Sequence, residues 1–131
     1  MPREELAKFL NNDSKVPHLI ISIWSYDEKP DLKINHNNDC RVLLTQFDDT
    51  EGESGISKSQ ARDIWKFIMD NNDFSNNIIV SCGAGISRSP GIAAGLLLAI
   101  TGSDMQIFEN TKYRPNTRCY RAIVDTAPNI F

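Results

Sequence analysis

One stretch of the sequence constrains the fold more than any other, the run from Ile78 to Pro90. Its first part, Ile78–Ser81, is a β-branched apolar run that is typical of a buried strand. A loop of small residues follows from Cys82 onward. Ser89 and Pro90 then predict the start of a helix, with Ser89 as N-cap and Pro90 in the first turn. The run therefore predicts a strand, a tight loop and a helix in direct succession.

A loop at a helix N-terminus is suited to bind an anion. Successive backbone N–H groups can turn toward one point there, and the helix dipole favours negative charge. Arg88 adds a planar guanidinium that can bind two oxygens of a phosphoryl group. The dipole and Arg88 also favour the thiolate form of Cys82, which is a nucleophile. The residues predicted to bind phosphate are Gly83, Ala84, Gly85, Ile86, Ser87 and Arg88.

A plainer alternative is that Cys82 is an inert core cysteine and that the glycines only form a tight turn. Arg88 argues against this alternative, because an inert cysteine does not require an arginine so close to a buried sheet edge. The loop is therefore predicted to be an active site.

The spacing Cys-x5-Arg-Ser between an apolar strand and an apolar helix resembles the signature of the cysteine-dependent protein tyrosine phosphatases, above all their small dual-specificity branch. Pro115-Asn116 before the last predicted helix adds to the resemblance. The resemblance implies that Ser89 stabilises the thiolate and that Asn116 supports the active-site loop. It also marks one departure: the family usually has His before the nucleophile, where this chain has Ser81. Ser81 is therefore expected to support the loop in place of His, with different hydrogen bonds around the cysteine.

An acidic loop after the second predicted strand can supply the proton that a leaving alkoxide or phenoxide requires. In the family this donor is an aspartate at the end of a strand, and the resemblance assigns the role to Asp49. Asp48 stays open as the alternative donor, with Asp49 then capping the loop. Glu51 and Glu53 are predicted to be solvated charges.

Length, composition and net charge indicate which class of protein this is. A chain of 131 residues with 40% hydrophobic content is predicted to form one domain, residues 1–131. Its net charge of −3 gives no general attraction to nucleic acid or anionic membrane, so nucleic acid is not the expected partner. No apolar run is long enough to span a membrane, and the start does not resemble a signal peptide. The chain is therefore expected to be cytoplasmic. It is also expected to be a monomer.

Three scattered cysteines, Cys40, Cys82 and Cys119, fit neither a disulfide framework nor a zinc site, and a reduced compartment is expected. The two histidines, His18 and His36, have no ligand partners at metal spacing. No metal and no cofactor are expected.

Predicted strands at 18–24, 41–47 and 77–81 alternate with helices, so the expected fold class is α/β, with a mostly parallel central sheet flanked by helices. Predicted helices cover residues 57–70, 90–100, 104–110 and 116–125, after a short one around Leu6 to Leu10. The inward residues are expected to be Met105 and Phe108 in the fourth, and Tyr120, Ile123 and Val124 in the last. The segment 25–39 is expected to be a surface loop that borders the substrate cleft.

The expected function is that of a metal-independent phosphatase acting on phosphotyrosine in proteins, and whether it also acts on phosphoserine and phosphothreonine stays open. Two alternatives stay open. One is a phosphate-binding module without turnover, which Ser81 motivates; the other is a phosphatase of RNA 5′-phosphates or small phosphometabolites. A basic cluster, Lys112, Arg114, Arg118 and Arg121, either contacts a phosphorylated surface or forms the solvated side of the last helix.

Overall fold

The computed structural model describes residues 1–128. The helices of this part are α1 (Arg3–Asn11), α2 (Lys58–Asp70), α3 (Arg88–Thr101), α4 (Met105–Phe108) and α5 (Thr117–Asp125). The strands are β1 (Ser14–Trp24), β2 (Asn38–Gln46) and β3 (Ile78–Ser81). No helix among residues 1–128 is long and apolar enough to cross a membrane.

The three strands form one parallel sheet with the order β2-β1-β3. The predicted α/β fold with a parallel sheet is thereby confirmed. Since the strands run in one direction, their carboxyl ends meet at one edge of the sheet. The residues that follow them there are Ser25, Phe47 and Cys82. This edge is where ligand sites of open α/β sheets are expected.

Helices cover both faces of the sheet. Ile21 and Ile23 of β1 are buried in the larger core with residues of α2, α3 and α5. Ile20 belongs to a smaller core with Leu6 and Leu10 of α1 on the other face. The alternation along β1 therefore produces a three-layer arrangement, with the larger core beneath the site.

Glycines on α3 let α5 approach closely. A Cβ at Gly91 would lie 2.9 Å from Cys119 Cβ, and one at Gly95 would lie 2.8 Å from Ile123. This contact fixes the rotation of α5, so its buried residues are Cys119, Ala122 and Ile123. The prediction was right for Ile123 and wrong for Tyr120 and Val124, which lie at the border of the buried face.

The single turn α4 corrects a second prediction. Met105 and Phe108 are exposed, at 56% and 49%, rather than inward. Phe108 instead makes a T-shaped ring contact with Tyr120, whose hydroxyl donates to Asp104 at 2.6 Å. A four-residue helix is too short to present a continuous apolar face to the core.

Candidate active site

The loop after β3 presents a row of free donors. Among residues 1–128, no acceptor is hydrogen-bonded to the backbone N–H of any residue from Gly83 to Arg88. Gly85 adopts a positive φ of +69°, which favours glycine. A Cβ there would also lie 2.5 Å from the Pro2 nitrogen, so glycine is required on both counts. The loop has the donors and the shape that an anion cradle needs.

Residues at the start of the chain are hydrogen-bonded to the first residues of this loop, Cys82 and Gly83. Arg3 N–H donates to the Gly83 carbonyl at 3.1 Å, and Cys82 N–H donates to the Met1 carbonyl at 3.3 Å. These bonds fix the point at which the loop leaves β3. The sequence patterns had not indicated this contact, because Met1 and Arg3 are far from the loop along the chain.

The helix after the loop begins earlier than predicted. α3 starts at Arg88, its N-cap is Ser87, and Ser89 lies inside the first turn, so the prediction of Ser89 as N-cap was wrong. The Ser87 side chain makes no capping bond and instead donates to Asp49 Oδ1 at 2.8 Å. The Ser89 hydroxyl lies 3.3 Å from Cys82 Sγ. Both hydroxyl groups therefore contact site residues rather than cap the helix.

Cys82 lies at the base of the loop and is 3% exposed. Besides the hydroxyl contact, the Ser89 N–H donates to its sulfur at 3.4 Å. These two groups can stabilise negative charge on Sγ. A second cysteine nearby differs: burial raises the pKa of the Cys119 thiol to about 12, with Asp49 adding to the increase. Cys119 is therefore a core residue, whereas Cys82 has donors at its sulfur.

Arg88 is almost completely buried, and its guanidinium is fixed on one side. Nη1 donates to the Ser25 hydroxyl and to the Phe47 carbonyl, both at 2.9 Å. These bonds use both protons of Nη1. The two acceptors follow β1 and β2, so the sheet edge itself orients the arginine. Nη2 and Nε have no acceptor within residues 1–128 and remain for a ligand. Nη2 lies 3.8 Å from the position of a Cβ at Gly83.

The two aspartates of the acidic loop have different partners. Asp49 Oδ1 accepts from the Ser87 hydroxyl at 2.8 Å and from Asn116 Nδ2 at 2.9 Å. Both bonds go to Oδ1, so Oδ2 is the oxygen left to carry a proton. Asp48 Oδ1 instead accepts from the Tyr26 N–H at 3.1 Å. The structure thus joins Asp49, rather than Asp48, to the loop that contains Cys82.

Asn116 N-caps α5, as predicted, and also connects two loops. Its Oδ1 accepts from the Cys119 N–H at 2.9 Å, and its backbone N–H donates to the Ser87 carbonyl at 2.9 Å. Through Nδ2 it holds Asp49. One side chain therefore links the helix, the acidic loop and the loop after β3.

Two further residues fix the acidic loop to α5. Arg118 donates to the carbonyls of Ile56 and Glu51, at 2.8 and 3.1 Å. Glu51 Oε1 accepts from the Thr117 N–H at 3.1 Å. Glu51 was predicted to be only a solvated charge, and Arg118 only part of a basic surface. Both instead order the loop that carries Asp49.

Ser81 does not support the loop in the predicted way. It is 1% exposed, and its hydroxyl has no hydrogen-bond partner among residues 1–128. Its neighbour in the sheet is Ser22, whose hydroxyl accepts from Trp24 Nε1 at 2.8 Å. Loop support at this point comes instead from the backbone bonds to Met1 and Arg3.

The sequence matches no protein-family model and no curated protein. Several solved structures match in fold. The human tyrosine phosphatase-like serine/threonine/tyrosine-interacting protein is 21% identical with a TM-score of 0.61, over 84% of this chain and 75% of that one. DUSP15 is 21% identical with a TM-score of 0.54, over 86% of this chain and 70% of that one.

A third structure, PTPMT1 in complex with PI(5)P, is 14% identical with a TM-score of 0.57, over 95% of this chain and 84% of that one. These proteins share the cysteine-based phosphatase fold. Their likeness agrees with the strand, loop and helix that surround Cys82. The chain therefore has the fold of the protein tyrosine phosphatases.

Proposed function

We propose that the protein is a metal-independent phosphatase that hydrolyses phosphomonoesters on proteins through a cysteinyl-phosphate intermediate. The observation that carries the proposal is the loop itself. Between Cys82 and the Arg88 guanidinium it has six backbone N–H groups, from Gly83 to Arg88, that have no acceptor among residues 1–128, and Arg88 keeps one side of its guanidinium for a ligand. Such an arrangement is suited to bind the three equatorial oxygens of a phosphoryl group while sulfur faces phosphorus.

In the first step, the Cys82 thiolate attacks phosphorus, a P–S bond forms and the P–O bond to the leaving group breaks. Asp49 Oδ2 gives its proton to the departing oxygen. The bonds from Ser87 and Asn116 to Oδ1 hold this carboxyl beside the loop. Charge on the phosphoryl oxygens is stabilised by the loop N–H groups and by Arg88.

In the second step, water attacks phosphorus and the P–S bond breaks. The Asp49 carboxylate accepts a proton from this water, and inorganic phosphate leaves. The sulfur departs as a thiolate. Its negative charge is stabilised by the Ser89 hydroxyl and N–H, which lie 3.3 and 3.4 Å from Sγ.

Phosphotyrosine in a protein is the proposed first substrate, with phosphoserine and phosphothreonine as further ones. The interior of the loop, Gly83 to Ser87, contains no lysine that would favour a highly phosphorylated inositol lipid. The net charge of −3 disfavours RNA. Ile86 and Ala84 are exposed, so a phosphoryl group on a protein surface could approach the loop from solvent.

The Ser81 hydroxyl, which has no hydrogen-bond partner in the described part of the chain, favours one second candidate, a module that binds phosphate without turnover. A comparison of the wild type with Cys82→Ser separates the enzyme from the binding module. For the enzyme, this variant has no activity on aryl phosphate yet still binds tungstate, because backbone and Arg88 form the cradle. Cys40→Ser is the matched control and keeps full activity. Orthovanadate should compete with substrate, and EDTA should have no effect. Wild-type tungstate binding without hydrolysis would instead support the binding module.

A further inference from the structure

We infer that Arg3 and Glu28, which lie outside the active-site loop, position the catalytic Arg88 through Ser25; the inference rests on the proposed function. The chain of contacts runs from α1 to the turn after β1 and from there to α3. Each connection is a hydrogen bond or an ion pair between described atoms. Neither Arg3 nor Glu28 belongs to a motif of the sequence, and the Cys-x5-Arg spacing gives no sign of them.

Arg88 depends on Ser25 for its orientation. One of the two bonds from Nη1 goes to the Ser25 hydroxyl at 2.9 Å, and the other goes to the backbone carbonyl of Phe47. The second acceptor is fixed by β2, which ends at Gln46. The first lies in a turn outside the sheet, so its position depends on whatever holds that turn.

Glu28 holds this turn. Its Oε1 accepts from the Ser25 N–H at 2.8 Å, and the Glu28 N–H donates to the Ser25 carbonyl at 3.1 Å. Gln46 Nε2 also donates to the carbonyls of Ser25 and Glu28, at 3.2 and 3.1 Å. Ser25 is thus held through its backbone, which leaves its hydroxyl free to accept from Arg88.

Arg3 holds Glu28. Its guanidinium donates to both carboxylate oxygens, at 2.5 and 3.3 Å, and to the Ile23 carbonyl at 2.9 Å. It also lies 3.8 Å above the Trp24 ring. The side chains of the ion pair are only 22% and 32% exposed, so the pair is less screened by water than a surface pair. A lysine could not make this set of planar contacts.

Arg3 acts on the loop by a second route. Its backbone N–H donates to the Gly83 carbonyl, directly after Cys82. The same residue is therefore bonded to the start of the loop and, through Glu28 and Ser25, to the arginine at its end. A guanidinium held in one orientation loses little freedom when it binds an oxyanion, and this increases affinity. Breaking one of the contacts between Arg3, Glu28 and Ser25 should therefore weaken oxyanion binding, although no group that touches the ligand is removed.

The experiment measures tungstate binding by titration calorimetry and hydrolysis of 4-nitrophenyl phosphate, with the full chain throughout. The variants are Ser25→Ala, Glu28→Gln, Arg3→Gln, Arg3→Lys and the double variant Arg3→Gln/Glu28→Gln. The control is the exposed ion pair of α2, Lys66 and Asp70, disrupted by Lys66→Gln. Thermal unfolding of each protein is recorded alongside.

We expect Ser25→Ala, Glu28→Gln and Arg3→Gln each to weaken tungstate binding by about threefold to tenfold, the order of one ordinary hydrogen bond. Arg3→Lys should recover part of the loss. The double variant should bind about as weakly as the weaker single variant, because both substitutions break the same connection. Lys66→Gln should bind tungstate like the wild type.

The inference is overturned if Ser25→Ala and Glu28→Gln bind tungstate with wild-type affinity. It is also overturned if the losses of Arg3→Gln and Glu28→Gln multiply in the double variant. Should Arg3→Gln fail to fold, Ser25→Ala and Glu28→Gln decide the question, because both keep Arg3 and its backbone hydrogen bond to Gly83. A wild-type protein that binds tungstate but hydrolyses nothing would refute the proposed function, while the binding series would still test the positioning.

Discussion

Asn116 Nδ2 lies 2.9 Å from Asp49 Oδ1, while Oδ1 of the same asparagine accepts from the Cys119 N–H at 2.9 Å. One amide therefore caps α5 and holds the proposed proton donor beside the loop. These two roles can be separated, because a cap needs only an acceptor whereas Asp49 needs a donor in the place of Nδ2.

Replacing Asn116 tests this double role. Serine can still cap α5 but cannot place an amide against Asp49, so Asn116→Ser should lower kcat with little change in Tm. Asn116→Ala should lower kcat and also destabilise the protein by about 1 kcal/mol through the lost cap. Steady-state kinetics and thermal unfolding of both variants check this. Equal kcat in Asn116→Ser and the wild type would exclude a role in holding Asp49.

The choice between Asp49 and Asp48 can be tested by varying the leaving group. Tyrosine phenolate is a stronger base than nitrophenolate, so its departure depends more on a proton donor. Asp49→Asn should lower kcat on a phosphotyrosine peptide by about a hundredfold or more, and much less on 4-nitrophenyl phosphate. Asp48→Asn is the matched control and should show no such dependence. The reverse pattern would transfer the role to Asp48.

Ser81 and Ser22 are neighbours in the sheet. The Ser22 hydroxyl accepts a hydrogen bond from Trp24, whereas the Ser81 hydroxyl has no partner among residues 1–128. Ser81→Ala removes a buried hydroxyl that has no partner among the described residues, so it should raise the free energy of unfolding, by about 1 kcal/mol. Ser22→Ala removes the acceptor of Trp24 Nε1 and should lower stability. Denaturant unfolding of both variants measures these changes. A loss of stability in Ser81→Ala would mean that its hydroxyl has a partner in solution.

Glu28 should make stability depend on acidic pH. The hydrogen bond from Arg3 lowers the pKa of Glu28 below its ordinary value of 4.5, and the Ser25 N–H and the charges of Arg3 and Arg88 add to this. A carboxylate with a lowered pKa adds stability above its unfolded-state pKa and loses it as pH falls through the folded-state pKa. The Tm difference between wild type and Glu28→Gln should therefore be constant above about pH 5 and shrink below it. A difference unchanged down to about pH 3 would contradict the lowered pKa.

Local pattern was sufficient to predict the parallel sheet and the loop after β3. Apolar runs marked all three strands, though β1 begins at Ser14 and β2 at Asn38, earlier than the runs indicate. The N-cap of α5, Asn116, could also be predicted from the sequence, because capping is a local interaction. The helix start at Arg88 was missed because the Ser87 and Ser89 hydroxyls bind Asp49 and Cys82 instead of capping.

The residues that orient the site could not be predicted in this way. Arg3 reaches Glu28 and Gly83 across the fold, and Arg118 reaches Ile56 and Glu51. Such contacts depend on tertiary packing and leave no periodicity or spacing in the sequence. The inward face of α5 was misplaced for the same reason, since Gly91 and Gly95 of α3 determine its rotation.

The central claim is that Cys82 attacks phosphorus, and trapping the intermediate tests it most directly. The wild-type protein is mixed rapidly with a phosphotyrosine peptide, quenched in acid and digested, and the peptide that contains Cys82 is examined by mass spectrometry. We predict one phosphoryl group on Cys82 during turnover and none in Cys82→Ser, which should have no activity. Continued hydrolysis by Cys82→Ser, or wild-type turnover without phosphate on this cysteine, would contradict the mechanism.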